Sequence, residues 1–131
     1  MKNLLIATCC LLLSSFCFAS EHGKNTALNW LQLIDQGQYE TSWQQAGSMV
    51  QQQLSASQWQ DTLHKARQPF GALQNRAVLS QQEHASLPGL PDGRYLVLTL
   101  QSQFEHKAEA VETLTLSFEQ GEWRAIGYFI R

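Results

Sequence analysis

The sequence predicts an α+β fold, with N-terminal helices packed on a curved antiparallel sheet of about four strands, a cone or roll. Three observations predict it. Apolar residues recur at helical spacing from Ala27 to Ala66. Beyond Gly71 the period changes to two. Helices therefore come first and strands second, and such a sheet must bury one face under the helices.

The first element is a leader. Lys2 gives a positive start, and Leu4 to Phe18 is apolar or small throughout. Cys17-Phe18-Ala19 ends the run with small residues at the two positions a signal peptidase reads. This predicts a signal peptide over residues 1–19, cleaved after Ala19, and a periplasmic or secreted product. An uncleaved anchor is the alternative, but the run is short for a membrane span. Cys9, Cys10 and Cys17 all lie in this segment. The mature chain would enter an oxidising space with no disulfide, thiol nucleophile or cysteine-bound metal. Neither Phe16, before Cys17, nor Thr8, before Cys9, suits a lipid-modified cysteine.

Residues 20–24 read as a loose leader, and 25–131 as one α+β domain, large enough for a core without staples. Asn25 or Thr26 is the expected cap of a helix carrying Ala27, Trp30, Leu31 and Ile34 on one face, and Gly37 ends it. A second helix carries Tyr39, Trp43, Ala46 and Val50, with Gly47 as its point of breakage. Ser55 and Gln58 form a capping box for a third, with Trp59, Leu63 and Ala66 on one side and Pro69 as its stop.

Four strands follow. Residues 73–84 are the least regular. Arg94 to Phe104 places Leu96, Leu98, Leu100 and Phe104 on one face. Val111 to Glu119 alternates Leu114, Leu116 and Phe118 with Thr113, Thr115 and Ser117. Gln120-Gly121 turns the chain into Glu122 to Ile130. "EHKAEAVE", Glu105 to Glu112, reads as a solvated turn. "SLPGLPDGRY", Ser86 to Tyr95, reads as a stiff connector, because Pro88 and Pro91 lack an N–H and fix their backbone.

Composition excludes several functions. Removing Lys2 from nine basic residues leaves eight against eleven acidic ones, net −3 with histidine neutral. The basic residues are scattered singly, which argues against nucleic acid and anionic membranes as partners. His22, His64, His84 and His106 have no metal-ligand spacing, so neither a metal nor a cofactor is expected. There is no GxSxG elbow, phosphate loop or dinucleotide fingerprint.

The candidate ligand-binding residues are Trp43, Trp59, Arg67 and Arg76. The tryptophans fall on apolar faces and are expected mainly in the core, with Trp43 and Trp59 nearest a cavity mouth. Arg67 and Arg76 flank the helix-to-strand corner. Either can fork onto a ligand carboxylate or pair structurally with Asp35, Glu40 or Glu112.

"WLQLIDQGQYETSW", "RQPFG", "SLPGLPDGRYLVL", "VETLTL" and "EWRAIGYFIR" occur in this order. In these segments the chain resembles the bacterial exported family catalogued as domain of unknown function 4019. The resemblance implies a small exported domain with no assigned catalytic residues. The order of elements is also similar to the nuclear-transport-factor-2-like cone and the cystatin-like roll, an analogy of fold alone. The favoured reading is non-enzymatic binding of a small ligand or an envelope protein. A homodimer through the outer side of the sheet is one form of it, with Tyr95, Val97, Ile126 and Tyr128 outward if alternation holds. The alternative is a hydrolase or isomerase whose cone-shaped cavity gathers Asp35, Tyr39, His64 or an arginine.

Overall fold

A computed structural model describes residues 14–131. Residues 1–13, which hold most of the expected signal peptide, lie outside the described residues. Helix α1 spans Ser14–Asp35, and Ala27, Trp30, Leu31 and Ile34 are its buried stripe. It starts before the expected cap, and residues 20–24, expected as a loose leader, are helical. Gly23 supplies the reason. A Cβ there would lie 2.5 Å from Leu96 Cδ2 and 3.2 Å from Trp123 Nε1, so the helix backbone itself docks on the sheet. Tertiary packing of this kind outweighs the propensity cost of one glycine, about 1 kcal/mol. At the other end Gly37 is left-handed. Gln38 N–H then donates to Leu33 O at 2.8 Å and Gly37 N–H to Ile34 O at 3.1 Å, which closes the helix.

The second helix does break at Gly47, into α2 (Tyr39–Gln44) and α3 (Ser48–Gln53). Gly47 N–H donates to Ala125 O at 2.7 Å, and a Cβ there would lie 2.6 Å from Ile126 Cγ2. The break is thus a docking point of the helical layer on the sheet edge. Helix α4 (Ala56–Arg67) opens with the full capping box, Gln58 N–H to Ser55 Oγ and Ser55 N–H to Gln58 Oε1. Pro69 sits in a three-residue 3-10 turn that ends it.

The sheet has four antiparallel strands in sequence order: β1 (Leu73–His84), β2 (Tyr95–Phe104), β3 (Lys107–Glu119) and β4 (Glu122–Ile130). Strand β3 starts before the expected Val111. "EHKAEAVE" gives the turn only Glu105-His106, because Ala110 and Glu112 are fully buried and their alternation extends the strand backwards. Gln120 and Gly121 both take positive φ, 51° and 81°, in the β3–β4 turn.

Bulges decide which side chains face which way. Strand β1 slips at Gln74 and Leu79, and β4 slips at Ile126. The β4 bulge corrects the expected outer face. Ala125 and Ile126 both lie on the helix side, so parity resets, Tyr128 turns inward and Phe129 turns outward. Tyr95 is on the outer side but is covered by the Pro/Gly loop, donating its hydroxyl to Pro91 O at 2.5 Å.

Leu96, Leu98, Leu100, Leu114 and Leu116 meet Trp30, Leu31, Ile34, Trp59 and Leu63 in the core. Every indole N–H in the helical layer has a partner. Trp30 donates to Ser42 O at 3.0 Å, Trp59 to Ser42 Oγ at 2.9 Å, and Trp43 to Leu54 O at 2.9 Å. Trp30 and Trp123 are 3% and 4% exposed. Trp30→Ala and Trp123→Ala should therefore each lose about 3–5 kcal/mol in urea unfolding. Near-wild-type midpoints at both would contradict this packing.

Candidate functional site

Four charged side chains meet between helices and sheet. Asp35 ends α1, Arg67 ends α4, Arg76 lies on β1 and Glu112 lies on β3. Glu112 has no solvent exposure, and Arg67 and Arg76 are 6% and 9% exposed at their side chains. The Arg76 guanidinium forks twice. It donates to Glu112 from Nε (2.8 Å) and Nη2 (3.1 Å), and to Asp35 from Nη1 (2.8 Å) and Nη2 (2.9 Å). Arg67 Nη1 donates to Asp35 Oδ1 at 2.9 Å, and its guanidinium carbon lies 4.6 Å from the centre of the Phe104 ring. Ser102 on β2 donates to Glu112 Oε1 at 2.5 Å, and Tyr128 on β4 donates to Glu112 Oε2. One polar side chain from each of six elements thus joins a single lattice with two positive and two negative charges.

Two members of the lattice, Arg76 and Tyr128, are held above their ordinary values. Burial opposes the charge on Arg76, but its bonds to Asp35 and Glu112 outweigh burial and hold the guanidinium above its ordinary value. Burial, then the charge and hydrogen bond of Glu112, push the Tyr128 hydroxyl well above its ordinary value. Both oxygens of Asp35 and both of Glu112 accept from arginine. Glu112 accepts four hydrogen bonds, which fills its acceptor sites, and Asp35 accepts three, all from arginine.

Clefts open on the surface formed by the described residues, and three of them border the elements above. The first, about 490 Å³, lies between α3, the Pro/Gly loop and the ends of β3 and β4. Met49, Leu90, Pro91 and Phe118 give it apolar walls, and Arg94 and Glu119 give it one charge of each sign. Glu119 is tethered: Ser48 Oγ donates to it at 2.6 Å, Ser48 N–H at 3.3 Å and Ser117 Oγ at 2.8 Å. Partial burial opposes its charge, but the bonds from Ser48 and Ser117 prevail and hold the carboxylate below its ordinary 4.5. It is ionised at neutral pH. A second cleft, about 440 Å³, lies beside Trp30, Gln45, Trp123 and Arg124. A third, about 280 Å³, is bordered by Asp35, Tyr39, His64 and Arg67.

Of the four candidate ligand residues, the structure brings Arg67 and Arg76 together through Asp35. Arg67 borders the smallest cleft, while Arg76 is held inside the lattice. Trp59 is buried, Trp43 is half-buried, and neither lines any of these three clefts. Asp35 and Glu112 are legible in the sequence as arginine partners; Ser102 and Glu119 are not, and Tyr128 is expected on the outer side of the sheet. The alternation of β2 could have placed Ser102 with Leu100 and Phe104. Nothing before the β4 bulge could have turned Tyr128 inward. Among the described residues, no group of three His, Asp or Glu side chains is placed to hold a metal ion.

A family model described as "Protein of unknown function (DUF4019)" matches residues 26–128. No curated protein matches the chain.

Removing one partner from a buried ion pair leaves the other uncompensated. Arg76→Met should thus cost about 3–5 kcal/mol in urea unfolding. Adding Glu112→Gln to Arg76→Met should cost less than the sum of the two single changes. Additive losses would show that the two groups do not interact.

Proposed function

The chain belongs to the DUF4019 family, and from its own residues we propose that it is an exported, non-enzymatic domain that binds a small amphipathic ligand between α3 and the Pro/Gly loop. The observation that carries this is the tethered, ionised Glu119 beside apolar walls in a cleft of about 490 Å³. That volume falls in the range of roughly 300–1,000 Å³ typical of small-molecule sites. A fixed carboxylate favours a ligand with a hydrogen-bond-donating head such as an amine. Met49, Leu90 and Phe118 suit an apolar body. The rim is stiff: Gly93 N–H donates to Ala85 O at 2.9 Å and Leu90 N–H to Leu87 O at 3.1 Å. A pre-ordered rim lowers the entropic cost of binding. "SLPGLPDGRY" is then both the connector its prolines suggest and one wall of the cleft.

The export reading rests on Lys2, the apolar run to Phe18 and the small residues before Ser20. Among the described residues no helix is long and apolar enough to cross a membrane. Cleavage after Ala19 would retain Gly23, Ala27 and the rest of the α1 packing face.

An enzyme is the second reading, favoured by the shared cleft of Asp35, Tyr39 and His64. The arginine bonds on both Asp35 oxygens weigh against it.

Two experiments test the proposal. N-terminal sequencing of protein recovered from the envelope fraction should begin at Ser20; a start at Met1 would contradict export with cleavage. Native mass spectrometry of the same material should show an adduct that Gln53→Trp, filling the cleft from an exposed position on α3, removes. An adduct that survives Gln53→Trp and disappears in His64→Ala would favour the second reading.

A further inference from the structure

The side of the sheet away from the helices carries a pattern that the core does not explain. Two cross-strand rows run over it. One is Ser80, Thr99, Thr113 and Phe129; the next is Gln82, Val97, Thr115 and Gly127. Neither row contains a charge. Charged side chains stand only toward the strand ends, Glu109 and Arg131 at one and Arg124 at the other. Val97, Thr99, Thr113 and Thr115 are all partly exposed. Among the described residues, the large apolar side chains exposed to solvent are Phe129 at 60%, which stands in the first row, and Leu79 at 57%, the extra residue of the β1 bulge beside Ser80.

We propose that this face is the interface with a second copy of the same chain, related by a two-fold axis lying across the strands between the two rows. The first row of each copy then packs on the second row of the other. Phe129 sits over the partner copy's Gly127, and its own Gly127 receives the partner copy's Phe129. Thr113 meets Thr115 and Thr99 meets Val97. A two-fold interface requires this reciprocity, residue i on j and j on i. Phe129 and Gly127 supply the knob and the hollow two residues apart on one strand, so one axis satisfies both.

The two central rows carry no charge and so do not repel their own image. At the rim the same axis brings Arg124, which is paired with Glu122, toward the partner copy's Arg131. Area agrees. Four strands about 4.8 Å apart and ten residues long make a face of roughly 600 Å² in projection. The accessible area of such a ridged face is larger, close to the roughly 800 Å² per partner of a standard interface. Sheets that pack face to face do so at about 10 Å, close enough for a phenyl ring to reach a glycine. The face is independent of the cleft, so its failure would leave the ligand reading intact.

The test is sedimentation velocity of the purified chain from low micromolar to near-millimolar concentration. The wild type should be a dimer over most of that range. Gly127→Leu should raise the dissociation constant more than about tenfold by filling the hollow. It should leave the monomer intact, since a Cβ at Gly127 meets only Thr115 Cβ, at 3.8 Å. Phe129→Lys and Thr113→Lys, on two different strands, should do the same without lowering the unfolding midpoint of the monomer. A wild type that stays monomeric throughout, or a dimer that persists in all three variants, would overturn the proposal.

Discussion

Glu112 is a carboxylate in the middle of a central strand with no exposure to solvent. An ion in such a place is tolerated only when its charge and its lone pairs are met. Arg76, Ser102 and Tyr128 meet them, and Asp35 then balances the arginine. That one requirement ties β1, β2, β3 and β4 to the ends of α1 and α4. The ends of these helices cannot drift from the sheet without stranding a charge. A buried lattice of this kind adds little net stability compared with well-packed apolar groups. What it specifies is register, because a slip of one residue on β1 or β3 would turn Arg76 or Glu112 to the opposite face.

The helical layer answers a different constraint. Gly23 and Gly47 are both places where backbone touches sheet, one under α1 and one between α2 and α3. Ser42 is the hinge of the tryptophan cluster, accepting from Trp30 and Trp59 while donating to Tyr39 O at 2.6 Å. The large indoles can therefore fill the core without leaving an N–H unpaired. The two surfaces proposed for binding lie at the periphery. The cleft is bordered by a loop and a short helix, and the outer face by side chains that the core does not need.

Much of this was legible in the sequence. The stripe from Ala27 to Ile34, the stop at Gly37, the break at Gly47 and the Ser55–Gln58 box follow from local rules. So do the irregularity of β1 and the turn at Gln120-Gly121. The errors share one origin, which is that tertiary contact overrode a local signal. Residues 20–24 look unstructured until Gly23 meets Leu96. The charges of "EHKAEAVE" suggest solvent until Arg76, 36 residues from Glu112, brings its guanidinium to it. The outer face was misassigned at Ile126 and Tyr128 because a single bulge reverses every later residue. Strict alternation cannot see an inserted residue. Arg67 and Arg76, expected either to fork onto a ligand or to pair with Asp35, Glu40 or Glu112, are bonded to Asp35, and Arg76 also to Glu112.

The closed state of that lattice can be read directly at Tyr128. With carbon-13 in the tyrosine ring, and the Tyr128 resonance assigned through Tyr128→Phe, its chemical shift can be followed as pH rises. A hydroxyl buried against the Glu112 carboxylate should stay protonated well past its ordinary value of 10.0, until the protein unfolds. A Tyr128 resonance that moves through its midpoint near pH 10 in the folded protein would show the lattice open to water, and the account of the fold built on it would be wrong.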